Sequence, residues 1–309
     1  MDKTLRLSVS PHIHSGRSTA GIMRDVVISL MPAAIAGTVI FGLRALLVIA
    51  VCVASCVLLE VIFNKITKKD QTICDFSAAV TGLLLALNLP ANVPLWQCVI
   101  GSAFAIVIVK CLFGGIGCNP VNPAITARVF MLVSFGSMTV QAYPTIVDTV
   151  AGATPLPSIA GGNVPDMMAL FLGLTGGAIG ETCALALLIG FVYLLVRRVI
   201  TWHIPVTFIG SVFVLSFLME GFDVMKAAAL VLSGGLLIGA IFMATDYVTS
   251  PSTAKGKIVF GVGAGLLTFL IRYFGVYPEG VSFAILFMNI LTPYIDALTA
   301  HKVFGGRKA

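Results

Sequence analysis

The chain is a succession of apolar runs, many near the length that crosses a hydrocarbon core, joined mostly by short polar loops. A core about 30 Å thick needs roughly 20 helical residues. No water is present there to satisfy backbone amides, so such runs must be helices or closed barrels. The alternation and polar lumen-facing positions of a barrel are absent. The expected fold is an all-α polytopic membrane protein. Only 10% of the 309 residues are charged and 58% are hydrophobic, against about 25% charge in soluble domains.

Punctuation within the runs sets the expected organisation. A polar segment, 1–22, precedes spans at about 23–41, 44–63, 75–89, 94–113 and 124–137. The third ends at Leu89-Pro90-Ala91-Asn92-Val93-Pro94, where proline removes an amide donor and stops the helix. A loop without Lys or Arg covers 138–166. Residues 167–300 hold a Gly-rich partial or re-entrant helix at 167–180 and spans at about 181–196, 203–219, 226–244, 258–275 and 280–299. A basic tail, 301–309, closes the chain. The first 20 residues lack the apolar core of a cleavable signal peptide.

Charge placement orients this array. With the N-terminus inside, the inner segments hold Lys3, Arg6, Arg17, Arg24, Lys65, Lys68, Lys69, Arg197, Arg198, Lys255, Lys257, Lys302, Arg307 and Lys308, which is 14 of the 19 basic residues. The positive-inside rule then puts both termini in the cytoplasm and the 138–166 loop outside. Weak internal likeness accompanies it. Gly82-Leu83-Leu84-Leu85 resembles Gly235-Leu236-Leu237-Ile238, and Phe113-Gly114 then Ala124-Ile125 resembles Phe274-Gly275 then Ala284-Ile285. Five spans per half make the halves inverted, a transporter-like layout with a site at the repeat interface. On architecture alone the expectation is a secondary transporter or channel without a redox cofactor.

The net charge of +6 sits in loops, with no basic stripe interleaved with aromatics, so nucleic acid is not an expected partner and membrane lipid is. The seven cysteines form no C-x-x-C pair and read mostly as small hydrophobes. Ionisable residues at depth are costly and usually functional. Asp25, Glu60, Lys110, Arg128 and Arg272 fall near expected span ends, where snorkelling explains the long side chains. Glu181 opens a span beside a glycine-rich break.

Two stretches carry chemistry. Asp148-Thr149-Val150-Ala151-Gly152-Ala153-Thr154 fits D-x-x-(S/T/A)-G-A-T and resembles the site at which a flavin transferase esterifies FMN onto threonine. The acceptor hydroxyl must be reachable by a second enzyme, and Gly152 and Ala153 leave the approach bare. The other stretch runs Asn119-Pro120-Val121-Asn122-Pro123-Ala124-Ile125-Thr126-Ala127-Arg128. Its carboxamides both donate and accept hydrogen bonds, suiting a flavin edge, and Asn-Pro is equally a helix cap.

Together, Asn119-x-x-Asn122-Pro123-Ala124-x-Thr126-x-Arg128 and Gly152-Ala153-Thr154 resemble the RnfD/NqrB family, membrane components of ion-translocating oxidoreductases. The likeness covers nearly the whole chain, with Ala151 where Ser is common. The resemblance implies about ten transmembrane helices in two inverted five-helix repeats of urea-transporter-like fold. It further implies FMN as a phosphoester on Thr154, non-covalent riboflavin near Asn119 and Asn122, and a weaker role for Thr126 and Arg128. The implied activity is electron transfer from reduced ferredoxin to NAD+ coupled to Na+ or H+ movement. The implied partners are RnfA, RnfB, RnfC, RnfE and RnfG, with the transferase during maturation, in a bacterial cell membrane.

Overall fold

The computed structural model describes residues 18–136, 156, 159, 166–275 and 280–300. These residues form helices and connecting turns, with no β-strand among them. In chain order the helices are α1 (Thr19–Phe41), α2 (Leu43–Ile66), α3 (Ser77–Leu87), α4 (Leu95–Cys111), α5 (Pro123–Ser134), α6 (Met167–Leu172), α7 (Ala184–Val196), α8 (His203–Met219), α9 (Val224–Leu232), α10 (Leu236–Met243), α11 (Ala254–Phe274) and α12 (Val281–Thr299).

Local chemistry explains where they begin. Ser18, Asn122, Asp166, Asp223 and Thr253 each accept a backbone amide of the first turn of the helix that follows, satisfying donors that have no intrahelical partner. Pro123 at the first position of α5 has no such donor to satisfy. The expected proline stop after α3 is where that helix ends.

Only α1, α2, α11 and α12 are individually long and apolar enough to cross a membrane among the described residues. The stretch expected as one span at 226–244 is instead two helices, α9 and α10, bent by 67° at Ser233–Gly235. Gly234 takes φ +70° there, a left-handed conformation that glycine adopts without penalty. Arg272 of α11 donates to the carbonyls of Leu230 (2.7 Å) and Ser233 (3.2 Å), closing the frayed end of α9. Irregular backbone at depth is tolerated where protein satisfies it. The break after α3 follows the same rule: Leu89 and Leu87 accept the amides of Ile179 (3.0 Å) and Gly180 (2.8 Å). These lie in the irregular stretch between α6 and α7, so the partial helix expected over 167–180 ends at Leu172.

Packing joins α2 to α3 and α4, and α8 to α9 and α11, while α1 lies against α7 and α5 against α12. Small residues allow the closest approaches. A Cβ on Gly82 would stand 2.8 Å from the Cys52 carbonyl oxygen, and one on Gly265 3.0 Å from that of Phe208, as expected of helix contacts in lipid. One continuous apolar core runs through both parts of the chain, including Leu30, Leu85, Ile125, Phe208, Ile241 and Phe260. The outside is apolar too: Ile35, Val39, Leu58, Val192, Val196 and Leu298 are all exposed. A soluble protein seldom shows so continuous an apolar exterior.

Candidate functional site

A cleft partly open to the outside lies where the start of α3, the end of α4, the start of α5 and the turns after α7 and α10 converge. Hydrogen bonds hold these turns at one end of the molecule. Asp25 near the start of α1 accepts from Tyr193 (3.1 Å) and Arg197 (3.2 Å). The Tyr247 hydroxyl donates to the Val199 carbonyl, and Lys257 reaches Thr201 (3.3 Å).

One wall of the cleft is polar, with Ser77, Thr81, Lys110, Asn119, Asn122 and Asp246. The rest is largely apolar, with Val26, Val80, Leu84, Leu194, Ile200 and Phe242. Asn122 has two duties. Its Oδ1 accepts from the amides of Ala124 (3.0 Å) and Ile125 (3.3 Å), and its Nδ2 donates to the Met243 carbonyl (3.2 Å). It therefore caps α5 and ties that helix to the end of α10. Asn289 of α12, turned so that its nitrogen donates to the Thr249 carbonyl (3.2 Å), accepts the Asn122 amide (3.2 Å). Asn119 donates to the Val121 carbonyl (3.0 Å) and also bonds Asp246. Desolvation in this wall pushes the Asp246 carboxyl above its ordinary range, while hydrogen bonds from Thr249, Asn119 and the amides of Val248 and Tyr247 pull it back.

The structure brings Asn119 and Asn122 to this cleft but neither Thr126 nor Arg128. Thr126 returns its hydroxyl to the Asn122 carbonyl (2.7 Å), one turn back on its own helix. Arg128 lies further along α5 from Asn122, ~9 Å deeper along the axis. There it donates to Asn88 Oδ1 (2.5 Å) and stands 4.0 Å from Glu181. This triad pins α5 to both irregular breaks, with Gly235 alongside. Asp148, Gly152, Ala153 and Thr154 lie outside the described residues.

Snorkelling does not describe Glu60, Lys110 or Arg128. All three are buried and turn inward onto partners. Lys110 Nζ donates to both Glu60 oxygens (2.9 Å each) and to Ser77 Oγ (2.7 Å). Glu60 also accepts from Thr72 (2.6 Å), which in turn accepts from Asn64 (3.2 Å). A buried charge costs several kcal/mol unless paired and hydrogen-bonded, and here every Lys110 proton has an acceptor. Sequence reasoning missed Lys110, Ser77, Thr81 and Asp246 as wall residues. The available signal was a lysine ending the apolar run Phe104–Cys111 with a glutamate ending another.

The chain matches the model of the NQR2, RnfD, RnfE family over residues 6–305. It is 47% identical over 310 residues to the D component of the Na(+)-translocating ferredoxin:NAD(+) oxidoreductase complex of Acetobacterium woodii, covering 98% of this chain and 96% of the relative. It is 42% identical over 319 residues to the proton-translocating counterpart from Clostridium ljungdahlii, with the same coverage. The D component of an Escherichia coli ion-translocating oxidoreductase complex is 36% identical over 348 residues, covering 98% of this chain and 99% of the relative.

Proposed function

The chain belongs to the NQR2, RnfD, RnfE family, and from that premise we propose that it is the D component of an ion-translocating ferredoxin:NAD+ oxidoreductase complex. Its part is to carry electrons between neighbouring subunits, taken to be RnfA, RnfB, RnfC, RnfE and RnfG, as one membrane-embedded piece of a translocase. The observation that carries this reading is full-length similarity to the D components of such complexes, joined to a cleft whose polar wall contains both asparagines of the Asn119-x-x-Asn122-Pro123 motif.

The cofactors proposed are FMN as a phosphoester on Thr154 and riboflavin, non-covalently, in the cleft. The cleft suits the second in its chemistry: apolar walls face a wall of donors and acceptors. Asn119 and Thr81 would hold the polar edge. Val80, Leu84 and Phe242 would cover the ring and keep water out. Bound there, a flavin accepts and releases one or two electrons, and the protein supplies position and electrostatics. Because the Asn122 side chain is already engaged in capping, its contribution is to fix the wall rather than to supply free donors.

The proposed topology is ten spans in two inverted five-helix repeats, with the cleft end cytoplasmic. Support comes from Arg24, Arg197, Arg198, Lys255 and Lys257 lying on segments at that end, as the positive-inside rule asks. In support, α2 packs on α3 and α4, and α8 packs on α9 and α11. Relatives at 47% and 42% identity are named for different ions, so ion choice rests on fewer residues than the frame they share.

Broken helices also suit a transporter or channel without redox cofactor, and one experiment separates the two. The full-length chain, co-expressed with its flavin transferase, is run on a denaturing gel under ultraviolet light. A fluorescent band that disappears in Thr154→Ala is expected; a dark wild-type band leaves the transporter reading in front.

A further inference from the structure

Lys110 and Glu60 form a wall between two spaces. Lys110 and Ser77 face the polar-walled cleft described above, whereas Glu60 faces a second, apolar cleft lined by Val57, Ile73, Phe76 and Ala78. Both charges are buried, with side chains 4% and 5% exposed. The pair is therefore a fixed dipole in a poorly screening medium, its positive end toward the polar-walled cleft. All three Lys110 protons are taken by Glu60 and Ser77, so Lys110 has no proton left for a ligand. Its influence is exerted through charge. The other ionisable groups lining this cleft are Asp246 and the Tyr247 phenol, from the turn after α10.

We propose that Lys110, oriented by Glu60 and Ser77, is a positioning residue that makes the cleft favour the reduced, more negative form of its ligand over the oxidised form. The proposal rests on the reading that the cleft takes riboflavin. Two electrons and one proton added to a neutral isoalloxazine leave one net negative charge. A fixed positive end holds that charge more firmly than it holds the neutral ring, because Coulomb terms grow as the effective dielectric falls.

The test uses the full-length chain in lipid nanodiscs and measures riboflavin dissociation constants in the oxidised and the dithionite-reduced state. Lys110→Met removes the positive end. It is expected to weaken reduced binding relative to oxidised at least tenfold, equivalent to lowering the midpoint by about 30 mV for a two-electron couple. Glu60→Gln leaves the positive charge uncompensated and is expected to move the ratio the opposite way. The Glu60→Gln/Lys110→Met pair carries no charge, avoids an unpaired buried ion and should fall between the single variants. It serves as the reporter if either single variant does not fold: a shift from wild type in the Lys110→Met direction is then expected. Single variants that move the ratio in the same direction, or a double variant indistinguishable from wild type, overturn the proposal. Wild type that binds no riboflavin in either state overturns the cofactor reading itself, and the proposal with it. Bound riboflavin with an unmoved ratio overturns only the role of Lys110.

Discussion

Glu60 and Glu220 each hold a lysine, one beside the cleft and the other at the far end of α8. Glu60 lies in the last third of α2 and Glu220 just past the end of α8, and each meets two neighbouring helices. Glu60 on α2 takes Lys110 from α4 and, through that lysine, Ser77 at the start of α3. Glu220 follows α8 and takes Tyr273 from α11 and Lys226 from the first turn of α9, the lysine at 3.7 Å. They differ in solvent. The Lys110–Glu60 pair is enclosed, whereas Lys226 and Glu220 keep 28% and 19% of their side-chain surface. One arrangement thus yields a fixed internal dipole and the other a water-screened brace. The sign of the partner is shared; burial decides what the carboxylate can do.

The largest expected effect separates the two directly. Lys110→Met strands a buried carboxylate, and breaking one partner of such a pair costs about 3–5 kcal/mol. Its thermal midpoint in detergent should fall by many degrees and largely recover in Glu60→Gln/Lys110→Met. Failure to recover would mean that the lysine stem, not the charge, holds α4 to α2.

A smaller effect belongs to Asp246, on the cleft wall. Its raised carboxyl means the folded protein binds the proton more tightly than the unfolded chain. Stability from this group is complete below the ordinary value of 3.8 and is lost as pH rises through the folded value. Asp246→Asn should therefore gain on wild type as melts are run at increasing pH above ~4. A midpoint difference that stays level across the series would remove the desolvation argument.

The smallest effect belongs to the outer pair. Lys226→Met should cost no more than about 1 kcal/mol of stability, the ordinary worth of a screened pair. A loss comparable to that of Lys110→Met would erase the distinction between the two ends.

Much of the framework was legible in the chain. Apolar runs placed most helices to within a few residues, and His203–Met219 coincides with its expected span. The Asn122 cap is short-range chemistry, readable from the few residues it touches. Ser233-Gly234-Gly235 is itself a local break signal, but its angle and its closure by Arg272, far along the chain, were not readable. The site divided along the same line. Asn119 and Asn122 were visible as a local motif, whereas Lys110 looked like any lysine ending a span.

The sequence by itself determined that the chain is helical and apolar outside, since in lipid the backbone must satisfy its own hydrogen bonds and that requirement is written in run length and composition. It also determined the position of the Asn122 cap. Only the tertiary structure decided which charges are enclosed. Burial depends on what other helices bring to a point, and Glu60 and Glu220 differ in their neighbours rather than in themselves.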